Sequence, residues 1–419
     1  MHSVSILTIG SEVLDGRVQD TNSNFLCKKL ALLGLEVSHI LSCTDIISDI
    51  KDVLKFAFAR TNIVIITGGL GPTTDDLTRE SVAEFFSKKL VLSVEALNEM
   101  KALYQKRGRN FNPTNEKQAL FPEDSKIIPN PVGTAPGFMM NEDGMMLASL
   151  PGVPVEMIAM YQDTVEPFLK GLDGIMPLNV KGFKCFSLPE AAIGAKIQEL
   201  NIPEEIFVSY RAAFPEVHIA LKSHSKEIDK YFEKTKQAIG AEFIFTENLN
   251  LSFEEYILNL LAEKKLTLTT AESCTGGMLA SFLTNVPGSS KSFLGSIVSY
   301  ANSVKIETLG ISKELIDTHG AVSFEVAKAM AENCRIKLNS NIAVSITGIA
   351  GPDGRSPEKP VGLYYVGLST KEGCSSHRHF LRMKRKQIRA YASHMALDII
   401  RRHLLNIPQL PDAVIPEAK

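Results

Sequence analysis

Short apolar runs that end in glycine alternate with amphipathic stretches over most of the chain. VSILTIG (4–10) is a compact, mostly apolar run closed by Gly10, the pattern of a parallel strand buried on both faces. In NSNFLCKKLALLG, Phe25, Leu26, Leu30 and Leu33 recur at helical spacing, and Gly34 stands where a helix stops. NIVIITGGLGP (62–72) predicts a second buried strand running into a glycine turn, and a helix opens within DDLTRESVAEFF. Strand, helix, strand, glycine loop and helix are the grammar of a doubly wound α/β sheet. The pattern continues to about residue 170, through NPVGTAPGF and LASLPGVPVEM, whose Pro and Gly content marks loops.

The next stretch, 171–250, is mixed. KGFKCFSL, FVSYRAAF and VHIALKS predict short strands with helices between them, a small α+β module joining two larger domains. A second α/β pattern then begins with helix SFEEYILNLLAEKK, strand LTLTTAES, a glycine pair and helix MLASFLTNV. Strand GSIVSYAN, helix VKIETLG, strand NIAVSITGIAGP, a long polar loop and strand GLYYVGLS follow. QIRAYASHMALDIIRRHLL closes the pattern as an amphipathic helix, with Ile388, Tyr391, Met395, Ile399 and Leu404 near one stripe. The predicted organisation is α/β: two three-layer α/β domains, 1–170 and 251–408, joined by the α+β module 171–250. A Pro-rich tail, 409–419, is expected to be disordered.

A chain of 419 residues accommodates two or three domains, and 44% hydrophobic with 22% charged residues suits soluble globular cores. With 45 basic and 47 acidic side chains the net charge is −2, which argues against a nucleic-acid partner or an anionic membrane. Six scattered cysteines without a CxxC pair argue against structural disulfides and a zinc site. The N-terminus lacks the basic region and cleavage site of a signal peptide, and no apolar run approaches a bilayer span. The expected location is cytoplasmic.

The segment AESCTGG (271–277) crowds a carboxylate, two hydroxyls and a thiol where a strand ends and Gly276 and Gly277 open a helix. Parallel α/β sheets place their sites at the carboxyl ends of strands, so Ser273 lies in the right zone for a nucleophile. A serine hydroxyl needs a base. His319, His377, His379 and His394 read as loop or helix residues, whereas Lys305 falls in the first turn of a helix capped by Asn302 or Ser303. There the helix dipole and partial burial disfavour its ammonium, and a neutral lysine can deprotonate serine. Tyr300 can relay the proton or hold the lysine, and Thr347 with the N–H groups around Gly348 can serve as oxyanion donors. Serine before a helix is also commonly just a cap, Lys305 a solvated surface residue, and Cys274 an alternative nucleophile or a small core residue. Spacing alone leaves these readings open. The cluster LRMKRKQIR reads as a solvated helix start or, through Arg385 or Arg389, as a phosphate clamp.

In TGGLGPTTDDLTRE, glycine N–H groups around Gly68 and Gly69, with Thr73 and Thr74, suit a phosphate or pyrophosphate. Asp75 and Asp76 beside such a site suit a divalent cation such as Mg²⁺, and one of them is expected to cap the following helix. The absence of GK[ST] excludes a Walker loop. Glu12, Asn22 and Asp45 follow other strand ends and can complete the site.

The motifs GSEVLDGRVQDTN, TGGLGPTTDDLT, NPVGTAPGF, LPGVPVEM, AESCTGG, GAVSFEVAKAMA and TGIAGPDG…KPVG occur in an order that resembles the competence/damage-inducible protein A (CinA) family. The C-terminal domain is similar to nicotinamide-nucleotide amidase, which converts nicotinamide mononucleotide to nicotinate mononucleotide and ammonia without a cofactor. That resemblance places the family's Ser–Lys pair on Ser273 and Lys305. Its tyrosine falls on Tyr300, its threonine–glycine on Thr347 and Gly348, and its phosphate-side arginine on Arg385. Thr275, Gly276 and Gly277 would then shape the substrate pocket, with Glu272 and Cys274 as structural neighbours. The N-terminal domain resembles the MoaB/MogA molybdopterin-binding fold, associated in this family with metal-dependent ADP-ribose pyrophosphatase activity. That implies metal ligands at Asp76, Asp75 and Asp45. The family also implies a homodimer and nucleotide substrates. A nucleotide- or pterin-sensing protein without catalysis and a competence adaptor are the competing readings.

Overall fold

The computed structural model describes residues 2–356 and 358–414. The chain forms two compact units, Met1–Asn179 and Val180–Lys419. Both carry three-layer α/β architecture, and the second also holds a smaller sheet.

In the first unit, six strands lie in the order Glu36–Cys43, Ser3–Ile9, Ile63–Thr67, Met145–Leu150, Gly137–Glu142, Lys126–Ile128. The central strands alternate between two cores, as a strand period of two requires. Leu7, Ile9, Val64 and Ile66 join one core, while Val4, Ile6, Ile63 and Ile65 join the other. The expected parallel grammar holds for the first four strands. The last two run antiparallel, so the segments read as loops, NPVGTAPGF and LASLPGVPVEM, contain strand at Gly137–Glu142 and Met145–Leu150. The physical cause is a two-residue hairpin at Asp143 and Gly144, both with positive φ (50° and 79°). An Asp-Gly pair adopts that turn readily.

The second unit contains a four-stranded sheet, Phe207–Ala213, Glu216–Ser223, Asn179–Cys185, Ile244–Thr246, backed by helices Glu190–Gln198 and Ile228–Ile239. Its core gathers Phe183, Ile193, Ile219, Leu221 and Phe232. The larger, five-stranded sheet runs Phe293–Val298, Leu268–Glu272, Ile342–Gly348, Leu363–Ser369, Cys374–Phe380. Its first three strands are parallel and its last two antiparallel. His377 and His379 therefore sit on a strand, not in a loop or helix. His379 is buried against Tyr364, and desolvation pulls its pKa down to about 4.

The closing helix, Arg385–Leu404, is buried nearly all round from Ala392 to Arg402 and is a core helix rather than a one-striped surface helix. Asp398 is fully buried and holds both Arg401 (Nε 2.8 Å) and Arg402 (Nε 2.7 Å). The two guanidinium groups donate onward to the carbonyls of Glu242, Ile244 and Pro408. These bonds tie the small sheet, the last helix and the tail together. The tail, expected to be disordered, is instead strapped to the edge strand as far as Ala413; residues 415–419 lie outside the described residues. Ala413 N donates to Arg378 O at 2.9 Å, and Arg378 N donates to Asp412 at 2.7 Å. No helix among the described residues is long and apolar enough to cross a membrane.

Candidate functional sites

Strand Leu268–Glu272 ends one residue before Ser273, whose N–H donates to Ile346 O on the neighbouring parallel strand. The chain then turns through Gly276 (φ 59°) and Gly277 (φ 89°) into helix Met278–Thr284. Glu272 holds the turn closed: its buried carboxylate accepts from Leu279 N (3.1 Å) and Ala280 N (2.8 Å). This is the structural role expected of it. Ser273, only 7% exposed, is thereby fixed at the sheet's carboxyl edge with its hydroxyl facing Lys305.

Lys305 lies on helix Asn302–Glu307 and is 1% exposed. The cap residue is Ala301, with no side-chain bond, so neither Asn302 nor Ser303 caps this helix. Lys305 Nζ is 2.9 Å from Ser273 Oγ, 2.8 Å from Ser299 O and 3.4 Å from Tyr300 O. No carboxylate pairs with it among the described residues, and desolvation lowers its pKa below the ordinary 10.5. A neutral amine has two N–H bonds and one lone pair. In its neutral form, with both N–H bonds given to the carbonyls of Ser299 and Tyr300, the amine would turn its lone pair to the serine hydroxyl. Burial excludes the solvated-surface reading of Lys305, and the serine hydroxyl and the amine are held within hydrogen-bond distance, the spacing that a nucleophile and its base require.

The remaining residues depart from expectation in instructive ways. Strand Phe293–Val298 stops before Tyr300, whose exposed phenol accepts from Arg385 Nη2 at 2.8 Å. Only its carbonyl meets Lys305, so the phenol neither holds the lysine nor stands in relay to it. Arg385 also donates to Gly351 O, bridging two loops at the rim. Thr347 Oγ1 is committed to Ala321 O at 2.8 Å, which takes its hydroxyl out of the oxyanion role. Gly348 packs so closely on Tyr364 that a Cβ there would clash. The N–H groups of Cys274 and Thr275, one and two residues past the serine, have no hydrogen-bond partner among the described residues. Arg389 is not a free clamp: it donates to Thr275 O through Nη2 at 2.6 Å and braces the turn. Cys274 belongs to the main core, and burial pushes its thiol up to about 12, so it is no thiolate nucleophile.

In the first unit a cavity of about 520 Å³ opens at the carboxyl ends of the parallel strands, lined by Gly68, Gly69 and Gly71. Five carboxylates, Glu12, Asp45, Asp75, Asp76 and Glu156, share that lining, and no basic side chain among the described residues does. Asp45 accepts from Ser11 N (2.9 Å) and Ser11 Oγ (2.8 Å). Asp76 Oδ2 accepts from Thr73 N at 2.8 Å and from its hydroxyl. The helix Thr78–Phe85 is preceded by Leu77 without a side-chain cap, so neither Asp75 nor Asp76 caps it. Thr74 is exposed and outside the lining. Asn22 stands behind the site, its amide donating to Gly152 O at 2.8 Å. Among the described residues no group of three or more His, Cys, Asp or Glu side chains converges to hold a metal ion. The predicted ligands share one cavity without forming a preassembled cluster.

Two residues here carry no expectation from the sequence. Arg79, 1% exposed, donates to Leu70 O and Pro136 O and braces the glycine loop from below. Gln118 lines the cavity itself. The loop needs its glycines: Gly68 has φ 106°, and a Cβ there would strike the carbonyl of Ile9. Gly68→Ala is expected to destabilise the first unit by about 1–3 kcal/mol, read as a lowered denaturation midpoint.

The sequence comparisons agree with this two-domain picture. Residues 250–404 match the model described as "CinA C-terminal domain", and residues 5–171 match the "Probable molybdopterin binding domain". The CinA-like protein of Dictyoglomus thermophilum is 40% identical over 411 residues, covering 96% of this chain and 99% of the relative. A CinA-like protein of Geotalea uraniireducens is 38% identical over 415 residues, covering 96% and 98%. A solved structure, the protein CinA of Thermoplasma acidophilum, is 34% identical, covers 40% of this chain and 97% of that one, and has a TM-score of 0.37. The chain unites a CinA C-terminal domain with a molybdopterin-binding-type α/β domain. It belongs to the CinA family.

Proposed function

We propose that the C-terminal domain hydrolyses the carboxamide of nicotinamide mononucleotide, giving nicotinate mononucleotide and ammonia. The observation that carries this reading is the buried, carboxylate-free Lys305 at 2.9 Å from Ser273 Oγ. Neutral Lys305 takes the serine proton as Oγ attacks the amide carbon. The unpartnered N–H groups of Cys274 and Thr275 receive the negative oxygen. The protonated lysine then gives its proton to the departing nitrogen, which leaves as ammonia. Water hydrolyses the resulting ester with Lys305 again as base. Arg385 and Tyr300, at the exposed rim, are suited to the substrate's phosphate.

No step requires a metal, so ammonia release should persist in chelator. Cys274→Ala should keep the rate within about twofold, since its thiol serves only packing. Failure of folded wild-type protein to release ammonia from nicotinamide mononucleotide would remove the assignment.

For the N-terminal domain we propose hydrolysis of a nucleoside diphosphate sugar such as ADP-ribose with a divalent cation. The donor chemistry fits: hard carboxylate oxygens, in a lining without a basic side chain among the described residues, suit a hydrated cation that arrives with phosphate oxygens. Asp45, Asp75 and Asp76 would hold it, and its charge would offset that of the pyrophosphate. Gly68 and Gly69 leave room for the phosphates to approach the backbone.

A further inference from the structure

We infer that Gln118 is a specificity residue of the N-terminal cavity, where its side-chain oxygen accepts a hydrogen bond from a donor on the ligand. The inference rests on the reading of that cavity as a ligand site. Gln118 belongs to the lining and is only 2% exposed. Its Nε2 lies 3.4 Å from Leu70 O, an acceptor that also receives Arg79 Nη1 at 2.9 Å. A carbonyl accepts only from the amino end of a carboxamide, and the side chain is oriented with that end toward Leu70 O. Oε1 is then the free end, and it is buried with no partner from the chain. Leaving a buried acceptor unmet is costly, which makes such an atom in a cavity wall a mark of what the cavity takes in.

The surroundings say what that is. With five carboxylates and no basic side chain among the described lining residues, the side chains around Gln118 are mostly acceptors, and the donors come mainly from the glycine backbone. A ligand group that meets Gln118 must therefore bring O–H or N–H. Both the ribose hydroxyls of a nucleoside diphosphate sugar and the amino group of a pterin-like heterocycle supply that chemistry. Gln118 acts on binding rather than on bond cleavage, because a carboxamide neither donates nor takes up a proton at neutral pH.

The test replaces Gln118 with leucine in the full chain. With ADP-ribose and Mg²⁺, Gln118→Leu should raise KM roughly tenfold and leave kcat within about twofold, the loss expected for one neutral hydrogen bond. The denaturation midpoint should hold, since Arg79 still secures Leu70. Should wild type not turn over ADP-ribose, the pyrophosphatase reading fails, and calorimetric binding of ADP-ribose and of a 2-amino pterin decides for Gln118. Binding of either probe that weakens about tenfold in the variant supports the inference. An unchanged KM or affinity, a fall in kcat alone, or no binding of either probe by wild type overturns it.

Discussion

Lys305→Ala and Lys305→Arg are both expected to lower ammonia release from nicotinamide mononucleotide by roughly 10⁴-fold, and Ser273→Ala by a similar factor, because residues acting as one unit fail together. The arginine variant is the sharper test. It keeps a positive charge and a long side chain but cannot deprotonate, so it has no lone pair to offer the serine. The wild-type pH profile follows from the same burial. Desolvation disfavours the ammonium, so the folded pKa of Lys305 falls below 10.5 and the base form is populated above that lowered value. The kcat/KM of wild type should therefore rise with pH and level off before 10.5. Between the folded pKa and 10.5 the unfolded chain binds the extra proton, so the contribution of Lys305 to stability also grows as pH rises through that window and is lost as pH falls. Loss of the rising limb in Lys305→Ala, measured on its residual activity, would assign the limb to this residue.

Asp398→Ala carries the largest expected cost in stability. The carboxylate is fully buried and holds two arginines that are themselves 1% and 2% exposed. Removing it strands two guanidinium groups beside carbonyls alone. Breaking a buried charge pair in this way costs about 3–5 kcal/mol. Denaturant titration should show the loss. Because Arg401 and Arg402 reach Glu242 and Ile244, the small sheet and the last helix should lose structure together. Asp398→Asn, which keeps the volume and one acceptor, should fall between the two.

Much of this was open to a reader of the sequence, and the failures share a physical cause. AESCTGG announces a strand end, a turn and a hydroxyl placed at the sheet edge because each is a local property of glycine and of side-chain chemistry. Lys305 was legible as a partner for Ser273 because it lies soon after a strand end. What hydrogen-bond partner a group takes in three dimensions was not legible. The hydroxyl of Thr347 looks free in ITGIAGP and is spent on Ala321. Arg389 looks like a phosphate clamp and braces Thr275. Asp398 with Arg401 and Arg402 has the i, i+3 and i, i+4 spacing of an exposed helix pair, and only the packed small sheet makes it a buried lock. The antiparallel halves of both sheets escaped because strand periodicity carries no direction, although Asp143-Gly144 was a usable hairpin signal. Gln118 escaped for another reason: nothing in NEKQA distinguishes a glutamine that lines a cavity from one in solvent.

The claim at the centre of the account is that Ser273 attacks the amide and Lys305 serves it. An ester on Ser273 is then an obligatory intermediate, and hydroxylamine intercepts such esters in competition with water. The decisive measurement is the product mixture formed from nicotinamide mononucleotide by wild type with increasing hydroxylamine. The account predicts that the hydroxamate of nicotinate mononucleotide appears at the expense of the acid, and that Ser273→Ala forms neither. Ammonia release with the acid as sole product at every hydroxylamine concentration would contradict it, leaving Lys305 as a base for water and Ser273 as a binding group.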